Sequence, residues 1–131
     1  MDAADWRIAP ILLVADIHAS VAYWCDRLGF GHDRLWGEPP SFAIVRRAGT
    51  AVMLKQLVPA PSGRANHCVG GHDSPWDAYV WVGDADALHA EFLASGARVT
   101  SAPYDAEHGC REFEVEDPDG YRIGFGHLLG P

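Results

Sequence analysis

Apolar residues run from Ile8 to Val14 and stop at Asp16; beyond it Val21, Trp24, Cys25 and Leu28 recur at helical intervals up to Gly29. This change of period predicts a strand followed by an amphipathic helix. The Asp16 carboxylate is placed to cap the first turn, and Gly29 to adopt the left-handed conformation that ends a helix. Short runs rich in β-branched and aromatic residues follow, Phe42 to Val45 and Ala51 to Leu57, divided by Gly37, Pro39, Pro40 and Gly49. These predict strands.

The pattern then starts again. Ala78 to Val82 predicts a strand, Asp84 a cap, Leu88 and Phe92 lie one helical turn apart, and Gly96 closes the helix. Placing Val14-Ala15-Asp16 over Val82-Gly83-Asp84 gives an offset of 68 residues, which sets Trp24 on Phe92 and predicts a buried aromatic on each helix. Strands Arg98 to Ser101, Glu112 to Glu116 and Tyr121 to Phe125 complete the second unit. The last two are joined by Asp117-Pro118-Asp119-Gly120, where proline presets φ and glycine accepts a positive φ. The expected architecture is α+β: two βαβββ modules, about 8–57 and 77–129, forming a curved mixed sheet with a cup. Residues 58–76, with three prolines and three glycines, form a long connecting loop; loops of this length often act as lids or mobile connections.

Length and charge narrow the reading. At 131 residues and 48% hydrophobic content the chain reads as a single domain, 1–131, with a substantial core. The formal net charge is -8, so a nucleic-acid or anionic-membrane partner would be met against repulsion. Residues 1–65 carry 7 basic and 6 acidic groups and residues 66–131 carry 3 and 12, a balance of +1 against -9. The second half thus makes either an acidic groove for cationic ligands or simply a solvated surface. Cys25, Cys68 and Cys110 fit no disulfide scaffold, and the absence of a signal-like start or a long apolar stretch leads us to expect a cytoplasmic protein.

The ordered motifs Tyr23-Trp24-Cys25-Asp26-Arg27-Leu28-Gly29-Phe30, Arg111-Glu112-Phe113 and Asp117-Pro118-Asp119-Gly120-Tyr121, set in two βαβββ units, resemble the vicinal oxygen chelate superfamily from about Ile8 to Leu129. That superfamily includes glyoxalase I, extradiol dioxygenases, and fosfomycin and bleomycin resistance proteins. Its enzymes hold a divalent metal with His and Glu side chains at four equivalent strand positions. The resemblance places those positions on Ala9, Leu54, Asp77 and Gly124, of which only Asp77 offers a ligand atom. A transition metal needs three or four converging donors, so no resident metal or other cofactor is expected and catalysis of the glyoxalase or dioxygenase kind loses its Lewis acid.

Within the superfamily, Ala9-Pro10-Ile11-Leu12, Trp24, Asp26 to Phe30, Trp81-Val82 and Arg111-Glu112-Phe113 are most similar to the metal-free bleomycin resistance proteins. The resemblance implies antibiotic binding and resistance by sequestration, and a homodimer whose N-terminal strand is exchanged at Pro10. Pro10 also reads as an ordinary strand-edge residue. Gly109 and Cys110 stand where that group carries a bulky aromatic, which implies a wider pocket.

Strand alternation puts Asp77, Tyr79 and Trp81 on one face, where rings would stack with a flat, cationic small molecule, or else pack against a helix. Phe42 matches a cleft wall and Asp33 an acid near the cleft of related drug binders; Asp33 also reads as a surface carboxylate. Glu112, Glu114 and Glu116 share a strand face and form either an acidic groove floor or an outward face. The expected ligand-binding set is Trp81, Tyr79, Phe42, Asp33 and Glu112. The rival expectation is a metal-dependent enzyme of the same superfamily with an atypical ligand set drawn from Asp77, His67, His72 or His108. Asn66-His67-Cys68 and His72-Asp73 gather donors in one loop, although their spacing fits no familiar zinc motif.

Overall fold

A computed structural model describes residues 6–57 and 76–130. Two β-α-β-β-β units follow one another: β1 (Ile11–Val14), α1 (Ile17–Asp26), β2 (Gly31–His32), β3 (Phe42–Arg47) and β4 (Thr50–Gln56), then β5 (Ala78–Trp81), α2 (Ala85–Ser95), β6 (Val99–Asp105), β7 (Cys110–Glu116) and β8 (Arg122–Leu128). Each unit forms a four-stranded mixed sheet, in the orders β1-β4-β3-β2 and β5-β8-β7-β6. In both, the first strand runs parallel to the last, with Leu12 opposite Leu54 and Val80 opposite Phe125. The helix between them supplies the crossover that parallel neighbours require.

Local chemistry sets the helix ends. Asp16 accepts from the N–H groups of His18 and Ala19, and Asp84 from that of Ala87. Gly96 ends α2 with φ +82°, and Gly29 takes φ +73° just beyond α1. In the β7–β8 hairpin, Gly120 N–H donates to Asp117 O at 3.0 Å, closing the expected turn. Several boundaries differ from expectation. β2 is a strand of two residues, and β8 continues to Leu128. β6 runs past Ser101 to Asp105 because Pro103 lies on an edge strand, and two register shifts absorb the irregularity.

One core joins both units. Trp24 and Phe92, the equivalent aromatics of α1 and α2, are each fully buried; Phe92 packs with Phe113 and Phe125, and Trp24 meets Phe30 edge-on. Burying each such ring contributes about 1.5 to 3 kcal/mol. Polar ties bind the two halves: Tyr23 Oη donates to Glu116 O and accepts from Arg98 N–H, Tyr121 Oη donates to Leu13 O, and Arg47 makes a two-pronged ion pair with Glu91. No helix among the described residues is long and apolar enough to cross a membrane. With the helices and core on one side of each sheet, the opposite face stays open.

Candidate functional site

Strand β5 sends Ala78 and Val80 into the core, followed by Val82, so Tyr79 and Trp81 stand on the open face. The Tyr79 ring centroid lies 4.9 Å from that of Trp76 and 4.9 Å from that of Trp81, making a shelf of three rings. What allows the rings to lie there is the neighbouring strand. Tyr79 pairs with Gly124 and Trp81 with Gly126 across the parallel β5–β8 ladder. A Cβ on Gly124 would come within 2.8 Å of Tyr79 Cδ2 and 2.9 Å of the Trp76 ring, and one on Gly126 would run into the Tyr79 hydroxyl. Two glycines therefore form the bed of the shelf.

Glu112, on β7, is 1% exposed. Tyr79 Oη donates to its Oε1 at 3.1 Å, Tyr104 Oη donates to its Oε2 at 2.5 Å, and His108 Nε2 lies 3.1 Å from Oε1. A buried carboxylate is tolerated only when its lone pairs are used in this way. Burial, and then the adjacent Glu112 carboxylate, push the Tyr79 phenol well above its usual range. Burial and the hydrogen bond to Glu112 do the same to Tyr104. Both phenols thus remain donors at any physiological pH. Further along the same face Glu114 accepts from Trp76 Nε1 at 3.1 Å and from Thr100 Oγ1 at 2.8 Å, and Glu116 pairs loosely with Arg98 at 3.7 Å.

Trp81, at 61% exposed, lines two adjoining hollows of about 430 and 470 Å³. Tyr79 shares the larger one with Pro10 and Asp77. Of the expected residues, Trp81, Tyr79 and Glu112 come together. Phe42 and Asp33 stand on the other sheet or its margin: Phe42 is half-buried opposite Lys55, and Asp33 is exposed beside Arg46 at 3.4 Å. The structure does not bring them to the shelf. His67 and His72 lie outside the described residues.

The donors at the superfamily's metal positions do not fit a divalent ion. Leu54 is buried in the core, Ala9 and Gly124 carry no ligand atom, and the rings of Tyr79 and Trp76 crowd the space above Gly124. The remaining carboxylate, Asp77, accepts from Arg122 N–H at 2.9 Å while its own N–H donates to Arg122 O, which clamps the start of β8.

Residues 7–125 match the family model of the Glyoxalase/Bleomycin resistance protein/Dioxygenase superfamily. The chain belongs to that superfamily. No curated protein matches its sequence. Among solved structures it is similar to the bleomycin-binding protein of Streptomyces verticillus, complexed with copper(II)-bleomycin, at 26% identity over 95% of each chain and a TM-score of 0.62. It is also similar to TioX from Micromonospora sp. ML1, at 22% identity over 96% of this chain and 98% of that one, TM-score 0.68. A third relative in fold is TnmS3, an antibiotic binding protein from Streptomyces sp. CB03234, at 19% identity over 95% and 98%, TM-score 0.68.

Trp76, Tyr104 and Cys110 escaped the sequence-based site. Tyr104 sits directly opposite Glu112 in the β6–β7 pairing, beyond the point at which the expected strand ended. Trp76 ends the long connecting loop that the sequence predicts over 58–76. Carrying the two-residue alternation back one step from Glu112 finds Cys110 on the same strand face.

Proposed function

We propose that this superfamily member binds a flat, cationic small molecule of the bleomycin-like antibiotic class and sequesters it without transforming it. One observation carries the reading: a shelf of three aromatic rings, two of them laid over glycines, with a buried carboxylate behind it. A conjugated ligand gains by stacking on the outermost ring, Trp81, and a positive charge gains from the faces of rings whose hydroxyl points to a carboxylate. Stacking on rings needs no resident ion. The acidic balance of residues 66–131 adds long-range attraction, so binding weakens as salt rises. The antibiotic-binding relatives support this class of ligand.

Binding by a homodimer in the cytoplasm is part of the proposal. Trp6, Ile8 and Ile11 are 85%, 94% and 60% exposed, Ile8 on the wall of the larger hollow, and a second copy with an exchanged N-terminal segment would cover them.

Titration calorimetry with metal-free bleomycin and with ethidium, a simple flat cation, tests the reading. We expect saturable binding that Trp81→Ala weakens roughly tenfold, about 1.4 kcal/mol. Binding of ethidium alone keeps the ligand class and rejects the drug. Binding of neither, or affinity untouched by Trp81→Ala, overturns the proposal.

A further inference from the structure

Strand β7 and the residues just before it place a second kind of chemistry on the same open face. Cys110 and Glu112 alternate onto the same face of β7, and the turn before it, through Gly109 at φ +89°, brings His108 Nε2 to 3.1 Å from Glu112 Oε1. One imidazole nitrogen, the Cys110 Sγ and one Glu112 carboxylate oxygen all lie within 4.8 Å of one another. Donors bound to one tetrahedral zinc ion at about 2.0 to 2.3 Å stand somewhat closer than this to each other, so small side-chain rotations close the set. None of the superfamily's four metal positions falls on this strand: Ala9 precedes β1, Leu54 lies on β4, Asp77 precedes β5 and Gly124 lies on β8.

We infer that His108, Cys110 and Glu112 form a binding site for a thiophilic divalent cation of the zinc type. One nitrogen, one sulfur and one oxygen donor suit zinc, and a set of three leaves a fourth position open. Tyr79 and Tyr104 already fix the Glu112 carboxylate by hydrogen bonds, the outer-shell support that orients a ligand oxygen before the ion arrives. The His108 side chain is 58% exposed, while Cys110 and Glu112 are buried, which gives the ion a route from solvent through the imidazole. On binding, the Cys110 thiol gives up its proton to solvent and stays as the thiolate ligand, and any proton on the ligating His108 nitrogen is released as well, so affinity rises with pH. The inference stands on β7 and the turn before it and goes beyond the proposed ligand; a bound dication next to the shelf would oppose a cationic guest.

Cobalt(II) titration of the untagged full chain, followed by absorption spectroscopy, tests the site. A thiolate-to-cobalt charge-transfer band should appear at one equivalent and vanish when zinc is added. Cys110→Ser should abolish the band, and His108→Ala, a change at an exposed side chain, should weaken cobalt affinity at least tenfold with the thermal midpoint unchanged. Cys68→Ser should leave the band intact. Absence of the band in the native chain overturns the site, as does a band that survives Cys110→Ser or disappears in Cys68→Ser.

Discussion

The two modules share a plan and differ in what their open faces carry. Asp16 and Asp84 cap equivalent helices, Trp24 and Phe92 fill equivalent core positions, and both sheets pair the first strand with the last. Yet the first sheet shows Phe42, Ile44, Met53 and Lys55 on its open side, whereas the second shows a shelf of rings with a buried carboxylate behind it. The repeat builds the scaffold, and departures from the repeat build the site. The hairpins show the same contrast. Ala48 and Gly49 turn β3 into β4, while the β7–β8 turn buries Asp117, whose Oδ1 accepts from the N–H groups of Asp119 and Tyr121.

The largest effects should fall on what the modules have in common. Trp24→Ala and Phe92→Ala should each cost roughly 3 to 5 kcal/mol in chemical denaturation, because both leave a ring-sized cavity. A much smaller loss at either position would break the equivalence of the two helices.

Next comes the feature that only the second hairpin has. Burial, reinforced by the charges of Asp119 and Asp77, pushes the Asp117 carboxyl up to about 7. An unfolded aspartate loses its proton near pH 4, so between about 4 and 7 the folded state binds the extra proton. The stability that Asp117 contributes is therefore fullest below about pH 4 and is lost as pH rises to about 7, by at most roughly 4 kcal/mol. Asp119, also raised by burial, adds to the slope in the same sense. Asp117→Asn, which keeps the acceptor and removes the titration, should flatten most of that slope in thermal melts recorded across the range. An unchanged slope would remove Asp117 as its source.

A third comparison sets glycine against glycine. Gly126→Ala pushes a methyl group into the Tyr79 hydroxyl and should cost about 1 to 3 kcal/mol while altering the near-UV circular dichroism of the shelf. Gly49→Ala, in the first hairpin, meets open space and should stay within about 0.5 kcal/mol. Smallest of all is the Asp33–Arg46 pair. Both side chains are more than half exposed, so Asp33→Asn should change stability by less than about 0.5 kcal/mol, and ligand titration should show no loss if Asp33 stands apart from the shelf.

Much of this architecture was legible because it is local. A carboxylate before an apolar period caps a helix wherever it occurs, and Asp-Pro-Asp-Gly turns a hairpin by its own backbone preferences, so Asp16, Asp84 and the β7–β8 turn were readable directly. The face shared by Tyr79 and Trp81 was also readable, since alternation is a property of one strand. Which neighbour each face meets was not. Tyr104 reaches Glu112 only because β6 continues through two register shifts past Pro103, an irregularity with no periodic signature.

The sequence by itself determined the two-module plan, the helix caps, the core aromatics and the uneven charge, because each follows from residue type and short-range spacing. Tertiary structure alone decided that Gly124 and Gly126 bed the rings, that Glu112 is buried among phenols, and that Phe42 and Asp33 stand on the other sheet. Those outcomes depend on which strands become neighbours and in what register, and that is set by the packing of the entire core.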